Sequence, residues 1–270
     1  MPAPRLTELT LQALQAPLAV LDSQARVEHL SDIDSTNTEL MRRAHAGDTR
    51  TCLLLADTQS AGRGRLGRQW HSRAGDALLM SLGVTLAPQN WSGLSLAVGC
   101  CLAKALDPSF DKGMGLKWPN DLMLAPWDAP RKLGGILIET VLRQGDAAQA
   151  RFTVIGIGLN LAVPPASDYR TEPAGLHQVL GPQTTAQDVM LNILPCLVQG
   201  LNRFCALGFA AFTDEFARRD VLAGRELQLS NGVSGTGAGV DSQGVLWLNT
   251  PGGRVPVSSD EVSVRAAGAA

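Results

Sequence analysis

Gln59-Ser60-Ala61-Gly62-Arg63-Gly64-Arg65-Leu66-Gly67-Arg68-Gln69-Trp70 sets three arginines and three glycines between two apolar runs. Glycines allow positive φ and close backbone approach to a ligand. Guanidinium forks and backbone N–H groups suit a phosphate, each charge-assisted bond contributing roughly 1.5–3 kcal/mol. Trp70 offers a flat face to a nucleobase. Gly62-x-Gly64-x-x-Gly67 matches the dinucleotide fingerprint in letters. That motif needs a helix opening at its third glycine, and His71-Ser72-Arg73-Ala74-Gly75 is not a helix start. No Walker-type P-loop pattern occurs anywhere in the chain. An RGG-like nucleic-acid segment belongs in a long disordered tract, whereas this one lies between two expected strands. A solvated basic loop is the remaining alternative, so residues outside the loop must decide.

Those two strands are predicted at 52–56 and 78–86, both continuous apolar runs. Upstream, Thr36 with Glu39 fits a capping box, predicting a helix over 37–46 closed by Gly47. Residues 6–14 have helical spacing. Downstream, 92–106 predicts a buried helix, 136–142 and 152–161 further strands, 184–207 a long helix with a threonine cap, and 210–219 another helix. Near Gly224 the texture changes. Short strands are expected at 226–229, 236–240, 245–249, 254–257 and 262–265, separated by turn signals such as Asn231-Gly232 and Pro251-Gly252-Gly253. That pattern predicts a small β-barrel and two domains, 1–221 and 222–267. The Ala-rich tail after Arg265 is expected to be disordered.

Composition narrows the function classes. The chain has 270 residues, 45% hydrophobic and only 4% aromatic, so the core must be aliphatic. A net charge of −2 gives no global attraction to nucleic acid. Its lysines are scarce (Lys104, Lys112, Lys117 and Lys132), which marks them as places that need a compact point charge. Five cysteines lie among apolar neighbours without CxxC spacing, the pattern of buried thiols in a reducing cytoplasm rather than of a zinc or redox site. The N-terminus lacks a signal-peptide pattern, and the longest apolar stretch, 94–106, is too short to span a bilayer. A cytoplasmic protein without a membrane partner is expected.

Three further segments surround the loop. Lys117-Trp118-Pro119-Asn120-Asp121 places a turn at a strand end; Asp121 can hold a metal ion and Asn120 can orient a substrate. Arg131-Lys132-Leu133-Gly134-Gly135-Ile136-Leu137-Ile138-Glu139 puts a cation and two glycines ahead of a strand. Gly156-Ile157-Gly158-Leu159-Asn160 ends a strand with glycines, a sign of close ligand approach. Taken singly, each also reads as an ordinary turn, a solvated charge or tight strand packing.

Taken together with Asp34-Ser35-Thr36-Asn37, these segments resemble the biotin protein ligase family in order and approximate spacing, over about residues 30–265. The resemblance implies an α+β fold: a mixed β-sheet flanked by helices, like that of class II aminoacyl-tRNA synthetases, with a C-terminal SH3-like β-barrel. It implies ATP-dependent activation of biotin to biotinyl-5'-AMP, with Mg²⁺, then transfer to a lysine of a biotin carboxyl carrier protein. By the same resemblance Ser35, Thr36, Asn37 and Gln59 line the pocket for the ureido ring, and Arg63, Gly64 and Arg65 fold over the bound acid. Lys132 meets the carboxylate and α-phosphate, Gly135, Gly156 and Gly158 floor the pocket, and Leu137 packs on the aliphatic tail. Arg65, Arg68, Trp70, Asn120, Lys132 and Asn160 serve the nucleotide, with Trp70 and Asn160 at the adenine. Arg65, Lys132 and Asp121 are the catalytic candidates, Asp121 also for the metal and for orienting the acceptor lysine.

One departure matters. Bifunctional family members carry a DNA-binding domain ahead of the Ser-Thr-Asn motif, and only about thirty residues precede Ser35 here. A single-function ligase without DNA binding, monomeric or a weak homodimer, is therefore expected. The alternatives are a lipoate–protein ligase and a biotin-sensing transcriptional regulator.

Overall fold

The computed structural model describes residues 8–142, 150–165, 167, 169–257 and 264–266. Helix α1 (Glu8–Leu18) is followed by β1 (Arg26–Ile33), α2 (Thr36–His45), β2 (Cys52–Gln59), β3 (Ala77–Leu86) and α3 (Leu94–Leu106). Next come β4 (Met114–Lys117), β5 (Asp121–Leu124), β6 (Arg131–Val141), β7 (Arg151–Asn160), α4 (His177–Leu180), α5 (Ala186–Leu207) and α6 (Thr213–Arg219). Seven strands form one sheet in the order β1-β2-β3-β7-β6-β5-β4, parallel between β1 and β2 and antiparallel elsewhere.

Alternation along β3 and β7 gives the sheet two unlike faces. Leu78, Met80, Leu82, Ile155, Ile157 and Leu159 point into the main core with residues of α1, α3 and α5. Helix α5 is long and apolar enough, by length and composition, to cross a membrane. Here it is a core helix, burying Val189, Ile193, Leu197, Leu201 and Phe204 along one stripe. On the opposite face a smaller cluster, including Leu54, Phe152 and Val154, packs under Leu40 and Ala44 of α2. Beyond α2 this face carries the buried Ser81, and then Gly156 and Gly158, which line a cleft.

Several expectations shift. Strand β1 has an exposed-to-intermediate pattern with no clear alternation, and periodicity did not reveal it. Ser35, not Thr36, caps α2, its hydroxyl accepting from Thr38 N. The Thr36 side chain is turned instead toward Gln59 and Ser81. Gly47 follows the helix with φ +93, as a terminating glycine should. The long helix is capped by Thr185 and Asp188 in a capping box. The first helix runs on to Leu18 with Pro17 in its last turn. The expected helix over 210–219 is a 3₁₀ turn, Phe209–Phe212, leading into α6.

The C-terminal strands β8 (Glu226–Leu229), β9 (Ser234–Val240), β10 (Leu246–Thr250), β11 (Gly253–Val257) and β12 (Val264–Ala266) form an antiparallel sheet, β11-β10-β9-β8-β12. The first two residues of the strand expected at 262–265, and the end of the tail, lie outside the described residues. Trp118 ties this sheet to the larger one: it is buried, and its indole N–H donates to Gly244 O at 3.1 Å. All five cysteines are free; Cys52, Cys100 and Cys101 are buried, and Cys196 and Cys205 are half-buried.

Candidate active site

The open part of the sheet is a cleft of about 130 Å³ beneath the loop 59–70. Ser35, Thr36, Asn37, Gln59, Arg63, Gly64, Arg65, Arg68, Trp70, Asn120, Asp121, Lys132, Gly135, Leu137, Gly156 and Gly158 all line it. Of the residues given a role in the site from the sequence, only Asn160 is not among those lining the cleft.

The polar end is a closed hydrogen-bond network. Gln59 Oε1 accepts from Thr36 N at 2.7 Å and from its hydroxyl at 3.1 Å. Asn37 is buried, and its amide donates to Leu137 O at 3.2 Å and to Glu139 Oε2 at 3.0 Å. Its Oδ1 accepts from Ser81 Oγ at 2.6 Å, while the same Ser81 oxygen lies 2.7 Å from Thr36 Oγ1. Both amide protons of Asn37 are spent within the protein, so it shapes this end of the cleft as much as it lines it. Gly156 makes room for it: a Cβ there would come 2.1 Å from Asn37 Oδ1. Ser81 and Glu139 were not singled out from the sequence. Ser81 sits inside a run that reads as plain buried strand, and Glu139 differs from other strand-end carboxylates only in its partners.

At the other end, Lys132 Nζ lies 2.6 Å from Asp121 Oδ1, both partly buried. Sequence spacing placed Lys132 ahead of its strand, but it lies inside β6. A register shift between β5 and β6 makes the extra residue Leu133 bulge, since Leu122 pairs Gly134 and Met123 pairs Lys132. Without that bulge Lys132 would share a face with Gly134 and Ile136; with it, Lys132 joins Gly135 and Leu137 in the cleft. Asn120 holds the preceding turn by donating to Ile136 O at 2.8 Å.

The arginine–glycine loop is a small hairpin. Trp70 N donates to Gly62 O at 2.9 Å and Gly64 N to Arg68 O at 2.8 Å, with Arg63 bridged to Gln69. These backbone N–H groups are used within the loop. A single 3₁₀ turn, Arg65–Gly67, forms its tip, where Leu66 has φ 56. The Trp70 ring lies over Gly158, where a Cβ would come 2.9 Å from the indole, and its N–H is buried without a hydrogen-bond partner.

Asn160 lies outside this cleft. It is buried, its amide donates to Ala174 O at 3.0 Å and to Lys132 O at 3.4 Å, and it lines a separate cavity of about 120 Å³ with His71, Arg73, Asp76 and Tyr169. Among the described residues no three His, Cys, Asp or Glu side chains converge as a metal site.

The model of the Biotin/lipoate A/B protein ligase family matches residues 30–160. The chain is 33% identical over 244 residues to the bifunctional ligase/repressor BirA of Escherichia coli, covering 87% of this chain and 73% of the relative. It is 31% identical over 251 residues to the biotin–[acetyl-CoA-carboxylase] ligase of Mycobacterium tuberculosis, covering 88% of each. The chain belongs to the biotin protein ligase family. Its backbone superposes on the biotin protein ligase of Aquifex aeolicus, solved in complex with biotin and ATP, with a TM-score of 0.73 at 26% identity, over 89% of this chain and 99% of that one. A mixed sheet with flanking helices and a C-terminal SH3-like sheet is therefore the biotin protein ligase fold, as the resemblance implied.

Proposed function

We propose that this chain joins the carboxylate of biotin to the α-phosphate of ATP, releases pyrophosphate, and passes the acyl group from biotinyl-5'-AMP to a lysine of a biotin carboxyl carrier protein. The observation that carries this reading is one cleft, lined by the arginines of the loop, with a donor–acceptor network at one end and a lysine–aspartate pair at the other, in a chain of this family.

A ureido ring needs matched donors and acceptors, and Ser35, Thr36 and Gln59 supply both kinds, with Asn37 fixing the wall beside them. Leu137 and the glycines Gly135, Gly156 and Gly158 suit an aliphatic chain laid close to backbone. A carboxylate nearing a triphosphate meets repulsion, which Lys132 offsets as a point charge at the forming acyl–phosphate bond, helped by Arg65 and Arg68. Arg63, Gly64 and Arg65 cover the product from above. Asp121 holds Lys132 in the cleft and orients the incoming acceptor lysine. Mg²⁺ is commonly held by one or two carboxylates plus substrate phosphates, so Asp121 fits as its protein ligand, and the ion would spread phosphate charge there. The adenine takes the neighbouring cavity, against Asn160 and Tyr169, with Trp70 between it and the acid.

We further assign residues 1–221 to the catalytic domain and 222–267 to the C-terminal one. We take the protein as cytoplasmic and monomeric or weakly dimeric, with no role in binding DNA. The test supplies purified protein with ATP and either biotin or lipoate and follows pyrophosphate, then adds a carrier domain and follows its mass. Biotin-dependent pyrophosphate release and a biotin adduct on the carrier are expected. Turnover with lipoate alone overturns the substrate, and salt-dependent binding to a specific DNA sequence overturns the assignment as ligase only.

A further inference from the structure

Glu139 stands on β6 two residues beyond Leu137, so the two share the cleft face. Its carboxylate joins two parts of the site that are far apart in sequence. Oε2 accepts from Asn37 Nδ2 at 3.0 Å, and Oε1 lies 3.0 Å from Arg63 Nη1 in the loop. Asn37 is held in one orientation by Ser81 and Gly156 on its oxygen side and by Leu137 O and Glu139 on its nitrogen side. A hydrogen-bonded chain thus runs from Ser81 through Asn37 and Glu139 to Arg63, from the floor of the sheet to the loop above it.

We propose that Glu139 is a positioning residue that latches the arginine–glycine loop to the polar end of the acid pocket, so that retention of the acyl-adenylate depends on it. The proposal rests on the functional reading above. Arg63 is about half exposed, and exposed ion pairs add little to fold stability. The pair therefore acts on where the loop sits, not on whether the chain folds. Glutamine at 139 keeps the shape and an acceptor for Asn37 but removes the charge that holds Arg63. Alanine removes both contacts and leaves one Asn37 amide proton without its partner.

The experiment forms biotinyl-AMP on the full chain from biotin and ATP, then measures its escape by rapid filtration and biotin affinity by calorimetry. For Glu139→Gln, escape about fivefold faster is expected, the scale of one ion pair, with biotin affinity within about twofold and an unchanged Tm. Glu139→Ala should add a loss of biotin affinity. In an Arg63→Gln background Glu139→Gln should add nothing, because the latch is already gone. Escape from Glu139→Gln at the wild-type rate, or full additivity with Arg63→Gln, overturns the latch while leaving the ligase reading intact. A wild-type chain that forms no adenylate overturns both. Should Glu139→Gln not fold, Arg63→Gln tests the latch from the loop side, and escape at the wild-type rate there overturns it.

Discussion

The two faces of the seven-stranded sheet are made by the same strands and do opposite things. Ile155 and Ile157 point into the main core, where they pack against helices. Their chain neighbours Gly156 and Gly158 point the other way and have no side chains to fill the space. One of those glycines receives Asn37 and the other the Trp70 ring. At this end of β7 the packed core thus lies on one face and the cleft on the other, one residue apart. A mutation at one position should move the melting temperature and leave affinity alone, and its neighbour should do the reverse.

The largest expected effect is at Gly156. A Cβ there would meet the fixed Asn37 amide, so Gly156→Ala should weaken biotin binding by roughly a hundredfold, the order expected when buried polar partners are displaced. Calorimetry checks it; undiminished affinity would show that Asn37 moves freely. Lys132→Ala should slow adenylate formation roughly a hundredfold while biotin affinity changes little, as expected for a charge felt mainly in the transition state. Stopped-flow pyrophosphate release separates the two, and lost affinity with normal turnover at saturation would reassign the lysine. On the packed face, Ile155→Val should cost about 1 kcal/mol of stability with KM for biotin unchanged, measured by denaturant unfolding and steady-state kinetics.

A pH-dependent effect lies at the junction with the C-terminal sheet. Burial pushes the Asp220 carboxyl up to about 6, against hydrogen bonds from the Leu222 and Ala223 backbone, and one of its oxygens has no partner. A carboxyl raised on folding binds its proton more tightly in the native state, so stability declines as pH rises from the ordinary carboxylate range through about 6. Asp220→Asn should therefore raise Tm at pH 7.5 and have little effect at pH 4. The gain should be on the order of 1–2 kcal/mol. A gain of equal size at both pH values would point to packing instead.

Much of this was legible in residues close in sequence. Helix α2 and its closing glycine, the long capped helix, the buried strands β2, β3 and β7, and the short strands after Gly224 all follow from apolar periodicity and turn residues, which act locally. The same holds for the glycine–arginine loop and the Gly-x-Gly at the end of β7. Strand β1 was missed because a half-exposed edge strand carries no strict alternation. The cap of α2 was displaced by one residue because Ser35 and Thr36 are equally competent, and only the contacts of Thr36 with Gln59 and Ser81 break the tie.

Residue types and their local spacing determined that this chain builds a mixed α/β core, a C-terminal β unit and a cation-rich, glycine-lined pocket of the biotin protein ligase kind. Tertiary structure decided which way the decisive groups face. A single bulged residue at Leu133 rotates Lys132 onto the cleft face beside Asp121, and a one-residue slip in a strand reverses every side chain. Long-range packing turned the Asn160 amide onto backbone carbonyls and sent the Glu139 carboxylate to both Asn37 and Arg63. Those outcomes depend on partners tens of residues away in the chain, which propensity and spacing do not encode.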